Sequence, residues 1–270
     1  MQLRVLTWNV RKAGVASPAW SIMQQLDADI MLLQEVGRIP DTIKSQYAIC
    51  QKTPLRKNGQ PQIFSTAVLA KEGIVKEQPL HSAYDWVNKE LALFSGNLVA
   101  CEVQLNGFPS MNVMSVYSPP WPVNSERISG INTAPVQLTL NSQVWCTELL
   151  WAVLSNSYCH ASPWLVGGDF NSSVTFDYMW KGGPRGNQEI IDRMQALGFK
   201  ECLCMYMGGL TPTYKNVSNG KVIHQIDHLY ANYHLYPHLT KAVTGNNFSV
   251  FENSISDHLP IISDFELADY

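Results

Sequence analysis

Trp164-Leu165-Val166-Gly167-Gly168-Asp169-Phe170-Asn171 is the stretch on which the reading of this chain turns. Trp164 to Val166 is a short apolar run of the kind that forms a buried strand. It leads directly into Gly168-Asp169-Phe170-Asn171, which places a carboxylate and an amide at the strand's end. Three other apolar runs are built the same way. Val5-Leu6-Thr7-Trp8 ends in Asn9, and Met31-Leu32-Leu33-Gln34 ends in Glu35. Ser256-Asp257-His258 sits at the edge of the run Leu259 to Ile262. These segments bring Asn9, Glu35, Asp169, Asn171, Asp257 and His258 to strand ends. Hard oxygen donors with one imidazole suit magnesium-assisted phosphoester hydrolysis.

The bulk numbers narrow the partners. The chain has 270 residues, of which 46% are hydrophobic and 15% charged, enough for one large α/β unit with a substantial core. We expect a single domain over residues 1–270. A net charge of −3 argues against a protein that holds long duplex DNA by electrostatics alone. The six cysteines (Cys50, Cys101, Cys146, Cys159, Cys202 and Cys204) include no C-x-x-C pair, so reduced, mostly buried thiols are expected rather than a zinc site. Met1-Gln2-Leu3-Arg4 runs straight into the first strand with no apolar segment before it, so no signal peptide is expected. The run Leu149 to Leu154 is far too short to cross a bilayer. Asn171-Ser172-Ser173 has the form of a glycosylation sequon, read here as coincidental in a cytoplasmic protein.

Strand patterns fall near 2–8, 29–34, 47–51, 64–70, 91–94, 97–104, 111–117, 163–167, 201–206, 222–230 and 260–266. Ser17-Pro18 opens a helix to about Leu26 as N-cap and first helical residue. Helical spacing of leucine and tryptophan predicts a long helix over Val136 to Ser155. A further helix over Asn187 to Leu197 ends at Gly198. Leu239 to Val243 is too short and polar to assign. Adjacent strand patterns without intervening helices argue for hairpins and mixed sheets. Segments 53–61, 118–135 and 176–187 are turn-rich and long enough to be functional.

Six blocks together resemble the endonuclease/exonuclease/phosphatase family, the group that includes DNase I, exonuclease III and the AP endonucleases. They are Leu6 to Val10, Leu32 to Val36, Met114 to Pro119, Gly168 to Asn171, Gln225 to Leu229 and Ser256 to Pro260, in family order. The resemblance implies a four-layer α/β sandwich, with two mixed β-sheets face to face flanked by helices. It also implies site roles. Glu35 and Asp257 resemble ligands of Mg²⁺ or Mn²⁺, with Asn9 as a metal-side amide. Asp169 resembles the carboxylate that orients or deprotonates the attacking water. Asn171 resembles an amide donor to the phosphate, and His258 a donor or acid–base group held by Asp227. Asp169 and Asn171 are expected to alternate on a strand end and point the same way. His228 is expected to face away from the site as a structural residue.

Tyr117 discriminates between branches of the family. Val116-Tyr117-Ser118-Pro119-Pro120 is similar to the exonuclease III, AP endonuclease and retrotransposon endonuclease branches, where the phenol faces the phosphate. Phosphatase branches and DNase I carry a histidine there. Arg11 departs from the AP endonuclease pattern, which has an acidic residue at this place, and either contacts phosphate or is a solvated charge. Arg185 and Trp180, in a basic and aromatic loop, either grip a single strand or a flipped nucleotide or are simply solvated.

The expected activity is a Mg²⁺- or Mn²⁺-dependent phosphodiesterase, a nuclease with nucleic acid, DNA or RNA, as substrate and no membrane partner. The alternative is a phosphomonoesterase acting on a small phosphoester such as a nucleotide or an inositol phosphate. A catalytically dead binding module is disfavoured because every expected catalytic position is filled.

Overall fold

The computed structural model describes residues 1–156, 161–179, 181, 183–246 and 248–267. Two six-stranded sheets form its centre. The first contains β1 (Gln2–Ala13), β2 (Ile30–Val36), β3 (Tyr47–Lys52), β4 (Ser65–Lys71), β13 (Leu239–Thr244) and β14 (Ile261–Glu266), in the order β13-β14-β1-β2-β4-β3. The second contains β5 (Ile74–Glu77), β6 (Leu98–Gln104), β7 (Met111–Tyr117), β8 (Trp164–Asp169), β9 (Phe199–Glu201) and β12 (Asp227–Asn232), in the order β5-β6-β7-β8-β12-β9. Both sheets are mixed. β1 pairs with β2, and β7 with β8, in parallel, while the remaining neighbours are antiparallel. β10 (Tyr214–Lys215) and β11 (Val222–His224) form a separate ribbon.

Side-chain alternation generates the layers, because successive residues of a strand face opposite sides. Leu3 and Val5 of β1, Ile30 and Leu32 of β2, Val113 of β7, Leu165 of β8 and Leu229 of β12 share the core between the sheets. The intervening residues Leu6, Trp8 and Val10 face outward with Met31 and Leu33, and are covered by Trp20 and Met23 of α1 (Pro18–Leu26). Met114, Val116 and Val166 face the opposite outer side. They are covered there by α3 (Asp85–Leu93), α4 (Cys146–Leu154) and Met194 of α6 (Asn187–Ala196). The order helix, sheet, sheet, helix is the expected four-layer sandwich.

The start of α1 is as the sequence indicated. Ser17 Oγ accepts from Ala19 N at 3.3 Å, and Pro18 stands at the first turn. Short helices α2 (Asp41–Lys44) and α5 (Val174–Met179) complete the regular structure with α7 (Cys202–Met207). Four expectations are corrected. Residues 91–94 end α3 rather than forming a strand, because Trp86, Val87, Glu90 and Leu91 are buried at helical spacing from a start upstream of that run. Residues 201–206 are mostly α7, capped by the Glu201 carboxylate on Cys204 N and closed by left-handed Gly208. A brief apolar run carries too little periodicity to separate strand from helix. The expected helix over Val136 to Ser155 is helical only from Cys146 to Leu154. Val136, Leu138 and Val144 are buried from a loop, which the Arg193 guanidinium holds by donating to the Val136 and Gln137 carbonyls. The run 222–230 breaks at Gln225-Ile226, between β11 and β12. Leu239–Thr244, left unassigned by its polarity, is an edge strand on β14.

Gly168 is required by a close approach. Its φ is 151°, and an added Cβ would lie 1.9 Å from the Val116 carbonyl oxygen. Glycine there lets β7 and β8 run side by side up to the site. Of the described cysteines, Cys101, Cys146 and Cys202 are buried, Cys50 and Cys204 half-buried, and all five are unbridged. No helix of the described residues is long and apolar enough to cross a membrane.

Glu148 in α4 is a buried carboxyl whose Oε1 has no hydrogen-bond partner. Burial pushes its pKa from 4.5 up to about 7, against donation from Thr147 and the Trp145 backbone. The folded state therefore holds this proton more tightly than the unfolded chain. Stability falls as pH rises from about 4.5 to about 7. One pKa unit corresponds to about 1.4 kcal/mol, so the loss is roughly 3 kcal/mol. Glu148→Gln is expected to remove that loss, measured as the difference in urea-unfolding free energy between pH 4.5 and pH 8. Equal pH slopes for the variant and the native protein would contradict it.

Candidate active site

The inner-facing rows that build the apolar layer change character at one end of the sandwich. Along β1 the row runs Leu3, Val5, Thr7, Asn9, and along β7 it runs Met111, Val113, Ser115, Tyr117. Along β8 it ends in Asp169, and along β12 it begins with Asp227. Alternation thus aims Asn9, Tyr117, Asp169 and Asp227 into one inter-sheet mouth. Beneath them, Gln34 Nε2 donates to Ser115 Oγ at 2.9 Å and to the Leu32 carbonyl at 2.9 Å. Ser115 Oγ in turn donates to the Leu33 carbonyl at 3.2 Å. This polar layer ties the two sheets together directly below the site.

Glu35 belongs to the opposite parity and would face outward on a regular strand. Its φ of 51° and the register shift in β2 between Leu33 and Val36 re-aim it. This brings the carboxylate close enough to the Tyr117 phenol for its charge to act on it. Arg11, Lys12 and Asn171 also have positive φ, at 47°, 60° and 48°. Strained backbone of this kind collects at functional sites and costs on the order of 1–3 kcal/mol per residue. Asn171 therefore does not alternate with Asp169 along a strand, as the sequence reading expected. It lies in a left-handed turn beyond β8, where Asp169 Oδ1 accepts from its backbone N at 2.9 Å.

Asp169 is buried, and its Oδ2 accepts from Asn9 Nδ2 at 3.0 Å. His258 Nε2 stands 3.9 Å from that same oxygen. On the other side of the ring, His258 Nδ1 lies 3.0 Å from both Asp227 oxygens. Thr213 Oγ1 donates to Asp227 Oδ2 at 2.7 Å. Burial pulls the His258 pKa down, but the charges of Asp227 and Asp169 outweigh it and hold the imidazole well above its ordinary value, as a cation. The Asp169 pKa is raised as well. Burial and the Asp227 charge raise it above the ordinary carboxylate range, with His258 opposing. It is a more avid proton acceptor than a surface aspartate. Burial, then the charges of Glu35 and Asp169, keep the Tyr117 phenol neutral, so it donates.

Asp257 and His258 lie in the segment before β14. Asp257 is partly exposed, with Arg11 Nε 3.8 Å from its Oδ1. Among the described residues, the carboxylate and imidazole atoms close enough to share one cation belong to Asp169, Asp227 and His258, within 4.8 Å of each other. Neither carboxylate expected to bind metal, Glu35 or Asp257, is in that group. Asn171 Nδ2 donates to the Ser118 carbonyl at 2.6 Å and leaves its second hydrogen for another acceptor. Arg185 lines a pocket beside Asn171. Trp180 lies outside the described residues.

Several supporting residues escaped the sequence reading. Trp8 Nε1 donates to the His258 carbonyl at 2.8 Å, and Ser256 Oγ donates to the Asn9 carbonyl at 2.7 Å. Ser256 carried a signal in its place before Asp257-His258; Trp8 and Thr213 carried none, since their contacts are with residues far away in sequence. His228 does face away from His258, packed edge-on to Phe170, but its Nε2 meets the Ser172 carbonyl at 3.2 Å. His224 bonds Thr175 Oγ1 at 2.7 Å through Nδ1.

Solved structures share this architecture at low identity. The 3′ phosphatase NExo from Neisseria, bound to product DNA hairpin, aligns with a TM-score of 0.67 at 15% identity, over 98% of this chain and 100% of that one. An AP endonuclease from Archaeoglobus fulgidus aligns equally well, with a TM-score of 0.67, 15% identity and the same coverages of 98% and 100%. The AP endonuclease LMAP from Leishmania major gives a TM-score of 0.61 at 14% identity, over 99% and 88% of the two chains. No curated protein sequence gives a significant match. The family of this fold that the sequence itself matches does so from residue 6 to residue 258, spanning every strand end described above, and the chain belongs to the endonuclease/exonuclease/phosphatase family.

Proposed function

We propose that this protein is a divalent-metal-dependent phosphodiesterase that hydrolyses nucleic-acid backbones by in-line attack of water. The observation that carries the reading is the buried series Asn9, Asp169, His258, Asp227, which sets a proton-accepting carboxylate beside a cationic imidazole. That the structural relatives include enzymes described as acting at DNA ends and AP sites supports the choice of substrate.

Asp169 orients a water and takes its proton as the water attacks phosphorus. Asn9 and the Asn171 backbone N fix both of its oxygens, so the carboxylate does not have to reorganise. Cationic His258, the neutral Tyr117 phenol and the second Asn171 amide hydrogen donate to the phosphoryl oxygens as negative charge grows on them. Asp227 holds the imidazole in place and keeps it charged. Arg11 meets a flanking phosphate.

The donor set fits a hard divalent cation. Glu35, Asp169, Asp227 and Asp257 contribute four carboxylates to this end of the sandwich, against the cationic groups of His258 and Arg11. Such an excess of oxygen donors and negative charge suits Mg²⁺ or Mn²⁺. Glu35 and Asp257, with Asn9 beside them, would hold it. The triad Asp169, Asp227 and His258 is a poorer holder, because the Asp227–His258 bond is already closed at 3.0 Å. Held by Glu35 and Asp257, such a cation would supply polarisation of the phosphate and offset charge on the leaving oxygen.

Loss of even an outer-shell partner of a metal commonly weakens affinity 10–100-fold, so Glu35→Gln is expected to weaken Mn²⁺ binding by about 100-fold. Calorimetric titration with Mn²⁺ checks this without turnover, and native-like affinity in the variant would remove Glu35 from the metal site. For the activity itself, labelled single- and double-stranded DNA, RNA and an abasic duplex are compared with 4-nitrophenyl phosphate in magnesium. Hydrolysis of the small ester alone would replace the nuclease reading with a phosphomonoesterase.

A further inference from the structure

A cavity of about 260 Å³ opens beside Asn171, between the turn after β8, α5, α6 and the loop that precedes α4. This is slightly below the roughly 300 Å³ at which small-molecule sites commonly begin, so it has room for one nucleoside and not for a length of strand. Phe170, Phe176, Leu138 and Ile190 give it an apolar interior, with Trp145 in the wall and Arg185 among its polar lining.

Both walls are held from behind. Asp177 of α5 accepts from Arg185 N at 2.7 Å, Asn187 Nδ2 at 2.8 Å and Gln188 N at 2.9 Å. Ser172 Oγ donates to Asn187 Oδ1 at 2.7 Å, which ties that wall to the turn carrying Asn171. Across the cavity, the Glu189 carboxylate of α6 accepts from Thr139 N at 2.8 Å, and Arg193 of α6 donates to the Gln137 carbonyl at 2.7 Å. The cavity is therefore formed before any ligand arrives. Ordering it on binding has little entropic cost.

We propose that this cavity receives an intact nucleobase of the nucleotide next to the scissile phosphate, so that the enzyme prefers base-bearing to base-free positions. The inference rests on the nuclease reading given above. The half-buried Phe176 ring and the Arg185 guanidinium suit stacking on a flat heteroaromatic ring. A deoxyribose without its base has no such plane. A phosphate would meet one cationic side chain and an apolar interior, which disfavours it.

The test compares two DNA oligonucleotides, one with all bases present and one with tetrahydrofuran residues on both sides of the cleaved bond. The native protein is expected to cleave the intact strand with a kcat/KM at least tenfold higher. Ile190→Trp fills the cavity from α6, and Asn141→Trp, at a half-buried loop position on the same cavity, blocks it with little risk to folding. In both variants the preference should fall below threefold, mainly through KM for the intact strand. A native preference under tenfold, or one that persists above threefold in a variant with native melting temperature, overturns the assignment. Equal cleavage of both strands overturns the base pocket alone and leaves the nuclease standing. Cleavage of neither strand overturns the nuclease reading, and the pocket falls with it.

Discussion

Replacing Asp169 with asparagine is expected to lower the rate of phosphodiester hydrolysis by on the order of 10³-fold, the range in which positioned proton transfer contributes to catalysis. The side chain keeps its shape, so the melting temperature should move by only a few degrees. Two features of the site make the effect large. Burial raises the Asp169 pKa above the usual carboxylate range, so its ionised form is a better base than a surface aspartate. Asn9 and the Asn171 backbone N hold it within 3.0 Å on both oxygens, so its direction is set before substrate arrives. An amide at this place cannot accept the proton, and one end of it would present hydrogens to Asn9 Nδ2 and His258. The measurement is kcat on a labelled oligonucleotide in magnesium. A loss smaller than tenfold would mean that some other group activates the water.

The second large effect concerns His258 and Asp227, which act as one device. His258→Gln is expected to cost on the order of 10²–10³-fold in kcat, comparable to removing one preorganised donor from developing negative charge. Asp227→Asn leaves the imidazole without the charge that sustains its protonation, because burial alone pulls the His258 pKa down. Its loss should approach that of His258→Gln. The double variant should then be no more than about threefold worse than His258→Gln alone, since groups that act as a unit are strongly non-additive. Two losses that simply multiply would show that Asp227 works independently of the histidine. The contact of 3.0 Å from Nδ1 to both aspartate oxygens argues for the unit.

Much of this could be read before the fold was in hand. Period-two alternation puts Asn9 in register with Leu3 and Val5, and Asp169 in register with Leu165. A strand-end oxygen in the inner row is therefore visible from the spacing of apolar residues alone. Ser17-Pro18 was equally legible, because capping is decided within one turn of chain. The failures share a cause. Leu91 to Phe94 and Cys202 to Tyr206 are apolar runs too short to show whether their period is two or 3.6. Val136 and Leu138 mimic a helix because they are buried, from a loop that Arg193, far along the chain, holds by the Val136 and Gln137 carbonyls.

Local chemistry, then, settled which residues could carry oxygen and imidazole to strand ends, and roughly where the strands stop, since both depend on alternation and turn propensity over a few positions. The folded chain alone decided which of those ends meet. β8 lies between β7 and β12 because of long-range pairing, and Gly168 permits it by leaving room for the Val116 carbonyl. Glu35 reaches Tyr117 only because a bulge in β2 turns it from the outer face to the inner one. The cavity beside Asn171 exists because two loops are tied to α5 and α6 by hydrogen bonds that span up to 57 residues of sequence. Contacts of that range depend on the packing of whole sheets and helices, and no local pattern in the sequence encodes them.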